Sequence, residues 1–197
     1  LGYSVATEYP TVLIAGILYL YLLYRMVRSE RWPRLGWAVL SGALVIVGWM
    51  VYNTAIFGGP LKLGYSFSEQ WLTEHQTGFM SLTWPHWEAL WGITFGLFRG
   101  LFPLSPLLLL AVLGLILWWR SGQYRPEWWV ALSSILVMFI FNACSIMWWG
   151  GYAVGPRYLL PMLSFLALPI IFVFIEWGKR VEMGAIIMIL YLWSWID

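Results

Sequence analysis

The residues best suited to chemistry in this sequence lie around Arg157. Trp149, Tyr152 and Tyr158 flank it, and glycines occupy positions 150, 151 and 155. Arginine presents a planar fork of donors that matches phosphate oxygens, while glycine lets the backbone approach a ligand closely. Trp and Tyr add flat faces that suit sugar rings. The pattern indicates that these four side chains bind a phosphate-bearing lipid head. The alternative is that Arg157 only anchors a membrane helix, with its charge in the interface.

Glu8 is a further candidate binding residue. It stands beside Tyr9 and two residues before Pro10, at the head of a long apolar run. A carboxylate next to hydrocarbon is costly, so it indicates a functional or a paired group. The alternative interpretation is a glutamate at the level of the lipid headgroups, in contact with water.

No motif assigns a catalytic residue in this chain. The sequence contains no phosphate-binding glycine loop with a lysine, no GxSxG and no HExxH. His75 and His86 occur in one segment with Glu69, Glu74 and Glu88. Their scattered spacing favours solvated loop residues over metal ligands. The catalytic residues are therefore left unassigned, and no metal site is predicted from these residues.

The elements that must position the candidate residues belong in a membrane. The chain has 197 residues, of which 61% are hydrophobic and 10% are charged, whereas a soluble domain carries about 25% charged residues. Its 16 Trp and 11 Tyr suit the boundary between hydrocarbon and headgroups. The composition predicts an all-α integral membrane protein whose partners include membrane lipids. The net charge of +2 sits in small clusters and gives no indication of nucleic acid.

Six apolar runs meet or approach the roughly 20 residues that a membrane-spanning helix needs. They cover residues 11–27, 35–57, 103–119, 128–149, 159–177 and 181–196. We therefore predict a single transmembrane domain over residues 1–197, a polytopic helix bundle with about six transmembrane helices.

The positive charges predict the orientation of this bundle. Segments 25–34, 120–125 and 179–180 hold eight of the 11 Lys and Arg residues. Cytoplasmic links carry an excess of these residues, so we place the three segments inside. Both termini then lie on the outer side, together with residues 58–102 and 150–158.

The outer loop 58–102 contains a predicted amphipathic helix over residues 84–98. Aromatic residues recur there at spacings of 3, 4, 4 and 3, namely Trp84, Trp87, Trp91, Phe95 and Phe98. That spacing matches one face of a helix, and the length suits a helix lying in the membrane interface. The aromatic face either anchors the loop or lines a site.

Four stretches of the chain form a recognisable series. They are Thr7-Glu8-Tyr9-Pro10, then Tyr52-Asn53 with Phe57-Gly58 and Pro60 through Gly64-Tyr65, then Arg99-Gly100-Leu101-Phe102 leading to Ser105-Pro106, and Trp148-Trp149-Gly150-Gly151 through Gly155-Pro156-Arg157-Tyr158-Leu159-Leu160-Pro161. In this order they resemble bacterial membrane proteins of the type-C glycosyltransferase superfamily, relatives of the dolichyl-phosphate-mannose protein mannosyltransferases. The resemblance covers most of the chain, and its motifs are moderately specific to the group.

The resemblance implies an inner-membrane enzyme that takes a sugar from a polyprenyl-phosphate carrier on the outer face. Such enzymes invert the anomeric carbon and use an acidic general base, often with a divalent metal, from the first outer loop. The stretch Thr7-Glu8-Tyr9-Pro10 normally lies several helices into these proteins, and the acidic loop has no match here. The chain therefore resembles the later half, and we expect it to be part of a longer protein. Arg157, Tyr158 and Glu8 are carried over only as binding residues.

The alternative function is a non-catalytic structural subunit of a larger membrane complex. The missing acidic loop favours it, and the small residues Gly36, Ser41, Gly42 and Gly48 suit close contact with partner membrane subunits. A transporter or channel is disfavoured, because the predicted spans hold few ionisable residues.

Overall fold

The computed structural model describes residues 2–29, 33–62, 64–67, 81–151 and 157–194, which form helices joined by turns. The chain divides into two compact units, Leu1–Thr83 and Trp84–Asp197.

Among its described residues, the first unit contains three helices, α1 (Gly2–Thr7), α2 (Thr11–Arg28) and α3 (Pro33–Phe57), and a 3-10 turn (Gly64–Phe67). Helix α1 contacts both α2 and α3. The break between α1 and α2 occurs at Pro10, which has no N–H to continue a helix. The backbone N–H and the hydroxyl of Thr11 both donate to the Glu8 carbonyl, at 3.0 and 2.8 Å. Tyr9 meets the edge of Trp49, with ring centroids 5.8 Å apart.

The second unit contains six helices among its described residues. They are α4 (Trp87–Thr94), α5 (Leu101–Leu104), α6 (Leu109–Ser121), α7 (Arg125–Cys144), α8 (Leu163–Trp177) and α9 (Val181–Trp193). Two 3-10 turns, Pro106–Leu108 and Arg157–Met162, precede α6 and α8.

Helices α6 and α7 form an antiparallel pair joined by a tight turn. Gly122 has φ +70° and ends α6 in the left-handed region, where glycine carries no steric penalty. Pro126 then suits the first turn of α7. The indole N–H of Trp128 donates to the Leu115 carbonyl at 2.9 Å, and that of Trp118 donates to the Gln123 carbonyl at 3.0 Å. These bonds fix the two helices against each other at the turn.

The most extensive helix contact among the described elements is between α6 and α8. Gly114 lies directly against the Pro169 carbonyl, with no room for a β-carbon. Further along, Trp118 stacks on Phe172 at 4.9 Å and 11°. Because both residue numbers increase together, α6 and α8 run parallel, and α7 runs opposite to both.

Four helices are long and apolar enough to cross a membrane: Thr11–Arg28, Arg34–Phe57, Arg125–Cys144 and Arg157–Trp177. The chain is therefore a helical membrane protein. The predicted runs 11–27, 35–57 and 159–177 agree closely with three of these helices. The apolar helices Pro106–Ser121 and Val181–Trp193 are shorter. The 13 residues of α9 rise about 20 Å, less than the roughly 30 Å of a hydrocarbon core.

Two predicted spans and the predicted loop helix have different limits in the structure. The run 103–119 becomes helical in full only at Leu109, because Ser105 and Pro106 interrupt the chain. The run 128–149 begins earlier, at Arg125, and ends at Cys144, where Ser145 takes an extended conformation. The helix predicted over 84–98 is confined to Trp87–Thr94. Backbone N–H groups of residues 95 and 96 both donate to the Trp91 carbonyl at 2.9 Å, which closes this helix.

The contact between Gly114 and Pro169 gives a test of the packing. We expect Gly114→Ala to lower the free energy of unfolding by about 1–3 kcal/mol, because the added methyl forces the two backbones apart. Gly184→Ala is the matched control, since nothing lies within 4 Å of a β-carbon there. Both variants would be compared by SDS titration in mixed micelles. Equal stability of the two variants would contradict the packing.

Candidate functional site

The candidate site is built around a glycine turn that follows α7. The N–H of Gly150 donates to the Met147 carbonyl at 2.9 Å, which closes the turn. Gly150 and Gly151 have φ of +73° and +72°. A side chain at φ near +70° is sterically strained, so both positions require glycine.

Arg157 and Tyr158 lie next to this turn. A β-carbon built on Gly150 would be 3.4 Å from Arg157 Cβ and 3.8 Å from Tyr158 Cε2. The 3-10 turn that carries them is held by Leu159 and Met162, which are fully buried. Arg157 itself is exposed and Tyr158 is half-buried. The structure thus presents an exposed arginine beside a turn of two glycines.

Arg99 is a member of this site that the sequence did not single out as a binding residue. Its Nη2 donates to the Gly151 carbonyl at 3.0 Å, across 52 residues of chain. The residue is only 5% exposed, and its guanidinium lies 4.4 Å from the centre of the Phe98 ring. A single cation inside an aromatic segment is the signal that could have identified it, because such a charge needs a partner when buried.

Trp148 and Trp149, which precede the turn, differ in what they contact. Gly92 of α4 lies directly beneath the Trp148 ring, with no room for a β-carbon. Trp149 is half-buried and meets Trp148 edge to face, with centroids 5.9 Å apart. Of the predicted binding residues, the structure therefore gathers Trp149, Arg157 and Tyr158 at the turn. Tyr152 lies outside the described residues.

Glu8 belongs to the first unit and is described within it. It stands in the turn between α1 and α2, where its N–H donates to the Ser4 carbonyl at 3.0 Å and its own carbonyl holds Thr11. Its side chain is half-buried. The structure places Glu8 at the head of the first apolar helix, as predicted. A role for Glu8 in binding stays a prediction.

Helix α4 has two contrasting faces. Ala89, Gly92 and Ile93 are buried, and α4 packs on α7. The N–H of His86, which caps α4, donates to the Ala143 carbonyl at 3.0 Å, so α4 begins at the end of α7. The exposed residues of the helix are Trp87, Glu88 and Trp91. With the flanking residues, the exposed large hydrophobic side chains are Trp84, Trp87, Trp91, Phe95, Leu97 and Phe98. We call these six residues the aromatic face.

Helix α7 also contains two buried polar side chains without a described partner. Asn142 and Ser134 are 0% exposed, and in the described part of the chain no group hydrogen-bonds the Asn142 amide or the Ser134 hydroxyl. Asn53 of α3 has the same character within the first unit. Burying an unpaired amide costs about 1–3 kcal/mol on protein scales, so these positions were not selected for stability alone.

The divalent metal that the resemblance implies does not fit the described residues. No three His, Cys, Asp or Glu side chains gather as metal ligands would within residues 2–29, 33–62, 64–67, 81–151 and 157–194. His75, Glu69 and Glu74 lie outside those ranges. His86 and Glu88 are exposed residues at the start of α4.

The arrangement at the glycine turn suits the binding of an anion at one end of a helix bundle. Arg157 supplies charge and a fork of donors, and Tyr158 and Trp149 supply aromatic surface. In comparisons with protein families, curated proteins and solved structures, nothing matches this chain. The contacts at the turn are thus the basis on which a function is assigned.

A substitution at Asn142 tests whether its buried amide lacks a hydrogen-bond partner in the folded protein. We expect Asn142→Leu to raise the free energy of unfolding by about 1–3 kcal/mol, because leucine has a similar branched shape and removes an unpaired amide. Ser134→Ala should change stability in the same direction by a smaller amount. The measurement is SDS titration of the purified protein. A loss of stability in Asn142→Leu would mean that the amide is hydrogen-bonded in the folded protein.

Proposed function

We propose that this chain is the membrane-embedded later half of a type-C glycosyltransferase, and that it binds a polyprenyl-phosphate-linked sugar at the outer membrane face. The observation that carries the proposal is the exposed Arg157 beside Gly150, on the 3-10 turn that precedes α8. The resemblance of the surrounding residues to this superfamily supplies the identity of the ligand.

The physical case concerns how a phosphate is held at a membrane boundary. A guanidinium forms charge-assisted hydrogen bonds with two phosphate oxygens at once, and these bonds strengthen where the local dielectric is lower than in water. Gly150 and Gly151 carry no side chains, so neither contributes a side chain that would obstruct a phosphate near Arg157. Tyr158 and Trp149 then stand where the ring of the first sugar would lie.

The aromatic face supports a place at the lipid headgroups. Helix α4 has 8 residues, about 12 Å of rise, which is too short to cross a membrane. Its small residues pack on α7, and tryptophan and phenylalanine face outward. Aromatic rings of this kind prefer the interface. In the proposal α4 lies flat in the outer interface, beside the end of α7 at which the glycine turn stands.

The finer topology belongs to the same proposal. We place α6 and α9 in the membrane with the four longer helices, which makes six transmembrane helices in the inner membrane. The arginine-rich segment 25–34 and the links 120–125 and 179–180 lie inside, and both termini lie outside. The general base, and any divalent metal, come from a preceding part of the full protein.

Removal of the Arg157 charge tests the proposal. We expect Arg157→Ala to weaken binding of a polyprenyl monophosphate to the protein in lipid nanodiscs by about 10- to 100-fold, since a hydrogen bond to a charged group contributes about 1.5–3 kcal/mol. Arg180→Ala is the matched control, because Arg180 is equally exposed and lies beyond the opposite end of α8. Binding that is absent in the wild type, or equal in both variants, would refute the proposal.

A non-catalytic structural subunit is the second candidate, and α3 favours it. The most apolar 18-residue stretch of α3 contains no buried residue. Nothing lies within 4 Å of a β-carbon on Gly36, Gly42 or Gly48, so glycines stand in open space on more than one side of this helix. Glycine lets a second membrane helix approach closely.

The subunit hypothesis predicts partners that depend on α3. Extraction of native membranes in mild detergent should yield the protein with partners in a fixed ratio, and Gly42→Leu with Gly48→Leu should release them. Gly16→Leu is the control, because Gly16 of α2 is equally open. A single unassociated chain after extraction would count against this candidate.

A further inference from the structure

Arg99 occupies an unusual place for an arginine, because it is buried beside a turn that it reaches from a distant part of the sequence. The residue is 5% exposed, and its guanidinium donates through Nη2 to the Gly151 carbonyl at 3.0 Å. The geometry points to Arg99 as the positioning residue that holds the Gly150–Gly151 turn in the shape against which Arg157 packs. The ligand side of this inference rests on the proposed function.

The turn needs a restraint from outside itself. Glycine loses more conformational freedom on folding than any other residue, and here two consecutive glycines take the left-handed region. The backbone bond that closes the turn, from Gly150 N–H to Met147 O, is local and spans three residues. The Arg99 bond joins Gly151 to the start of the segment that leads into α6, and so connects the turn to the bundle.

The strength of this connection follows from its charge and its surroundings. A hydrogen bond from a guanidinium to a carbonyl is roughly twice as strong as one between neutral groups. Burial lowers the local dielectric and strengthens it further. The Phe98 ring at 4.4 Å from the guanidinium gives the cation a second contact, which limits its other rotamers.

Arg99 and Arg157 then act on a bound phosphate in different ways. Arg157 is exposed and contributes charge directly. Arg99 is buried, and its effect passes through Gly151 and Gly150 to the base of the Arg157 side chain, which lies 3.4 Å from the position that a β-carbon on Gly150 would occupy. Loss of Arg99 should misplace Arg157 without removing the charge that the phosphate meets.

The test measures the protection of the turn from hydrogen exchange and the binding of the ligand separately. In Arg99→Met, which keeps the length but not the donor, hydrogen exchange of the backbone amides at residues 147–151 should rise about tenfold or more, with α6 and α8 unchanged. Binding of a polyprenyl monophosphate in nanodiscs should weaken on the order of tenfold. The dependence of that binding on salt should stay as in the wild type, whereas Arg157→Ala should reduce the salt dependence and leave exchange at the turn unchanged.

Two further variants make the outcome decisive. Arg125→Met is the matched control, because Arg125 also stacks on an aromatic ring, 4.7 Å from the centre of Trp119, at the other end of α7; it should alter neither readout. If Arg99→Met fails to fold, Arg99→Gln takes its place, because glutamine is polar but too short to reach Gly151. Arg99→Gln should then show the changes in exchange and in binding that are expected of Arg99→Met. Unchanged exchange at the turn, or loss of protection across the whole unit in both Arg99 variants, would overturn the inference. Wild-type protein that binds no phosphate would instead refute the proposed function, and the exchange result would still decide the role of Arg99.

Discussion

The arrangement of the second unit depends on the backbone contact between α6 and α8 at Gly114 and Pro169. Because the two helices run parallel, this contact brings the start of α6 and the start of α8 to the same end of the unit. Helix α7 runs between them in the opposite sense, so its C-terminal end arrives there as well. Arg99, the glycine turn and Arg157, which precede or follow these helix ends, therefore meet although up to 58 residues separate them in the chain. The grouping of these residues at this end follows from helix direction and close packing more than from any local motif.

Much of the helical architecture could be predicted from hydrophobic runs, and the differences have identifiable causes. Runs 11–27 and 159–177 coincide with helices because their limits are set by polar or charged residues, which the hydropathy of a sequence records. The helix predicted over run 103–119 is wrong at its start, because Pro106 interrupts helical hydrogen bonding although apolar residues flank it. The helix predicted over run 128–149 is wrong at its end for a related reason, because Met147, Trp148 and Trp149 are apolar but belong to a turn. Hydropathy measures where a segment prefers to lie and carries little information on whether its backbone is helical.

The candidate site was predictable in part. Arg157, Tyr158 and Trp149 were recognisable because arginine, aromatic residues and glycines are close together in the sequence, and the structure places all three around the turn. Arg99 was not, because its importance lies in a hydrogen bond to a residue 52 positions away and in its burial. Asn142 escaped notice for the same reason, since an amide in an apolar run is identified as unpaired only when its neighbours in space are known. Binding roles for these residues stay predictions, and Glu8 is described only within its own unit.

The indole bonds across the turn between α6 and α7 bear on how the protein is assembled during synthesis. Trp118 and Trp128 donate to carbonyls of the same hairpin, Gln123 and Leu115, so their N–H groups are satisfied without water or lipid headgroups. Helix α6 is synthesised before α7, so the hairpin that these bonds fasten can form as soon as α7 is complete. The two arms can thus pair before the ribosome has delivered α8 to lie against Gly114.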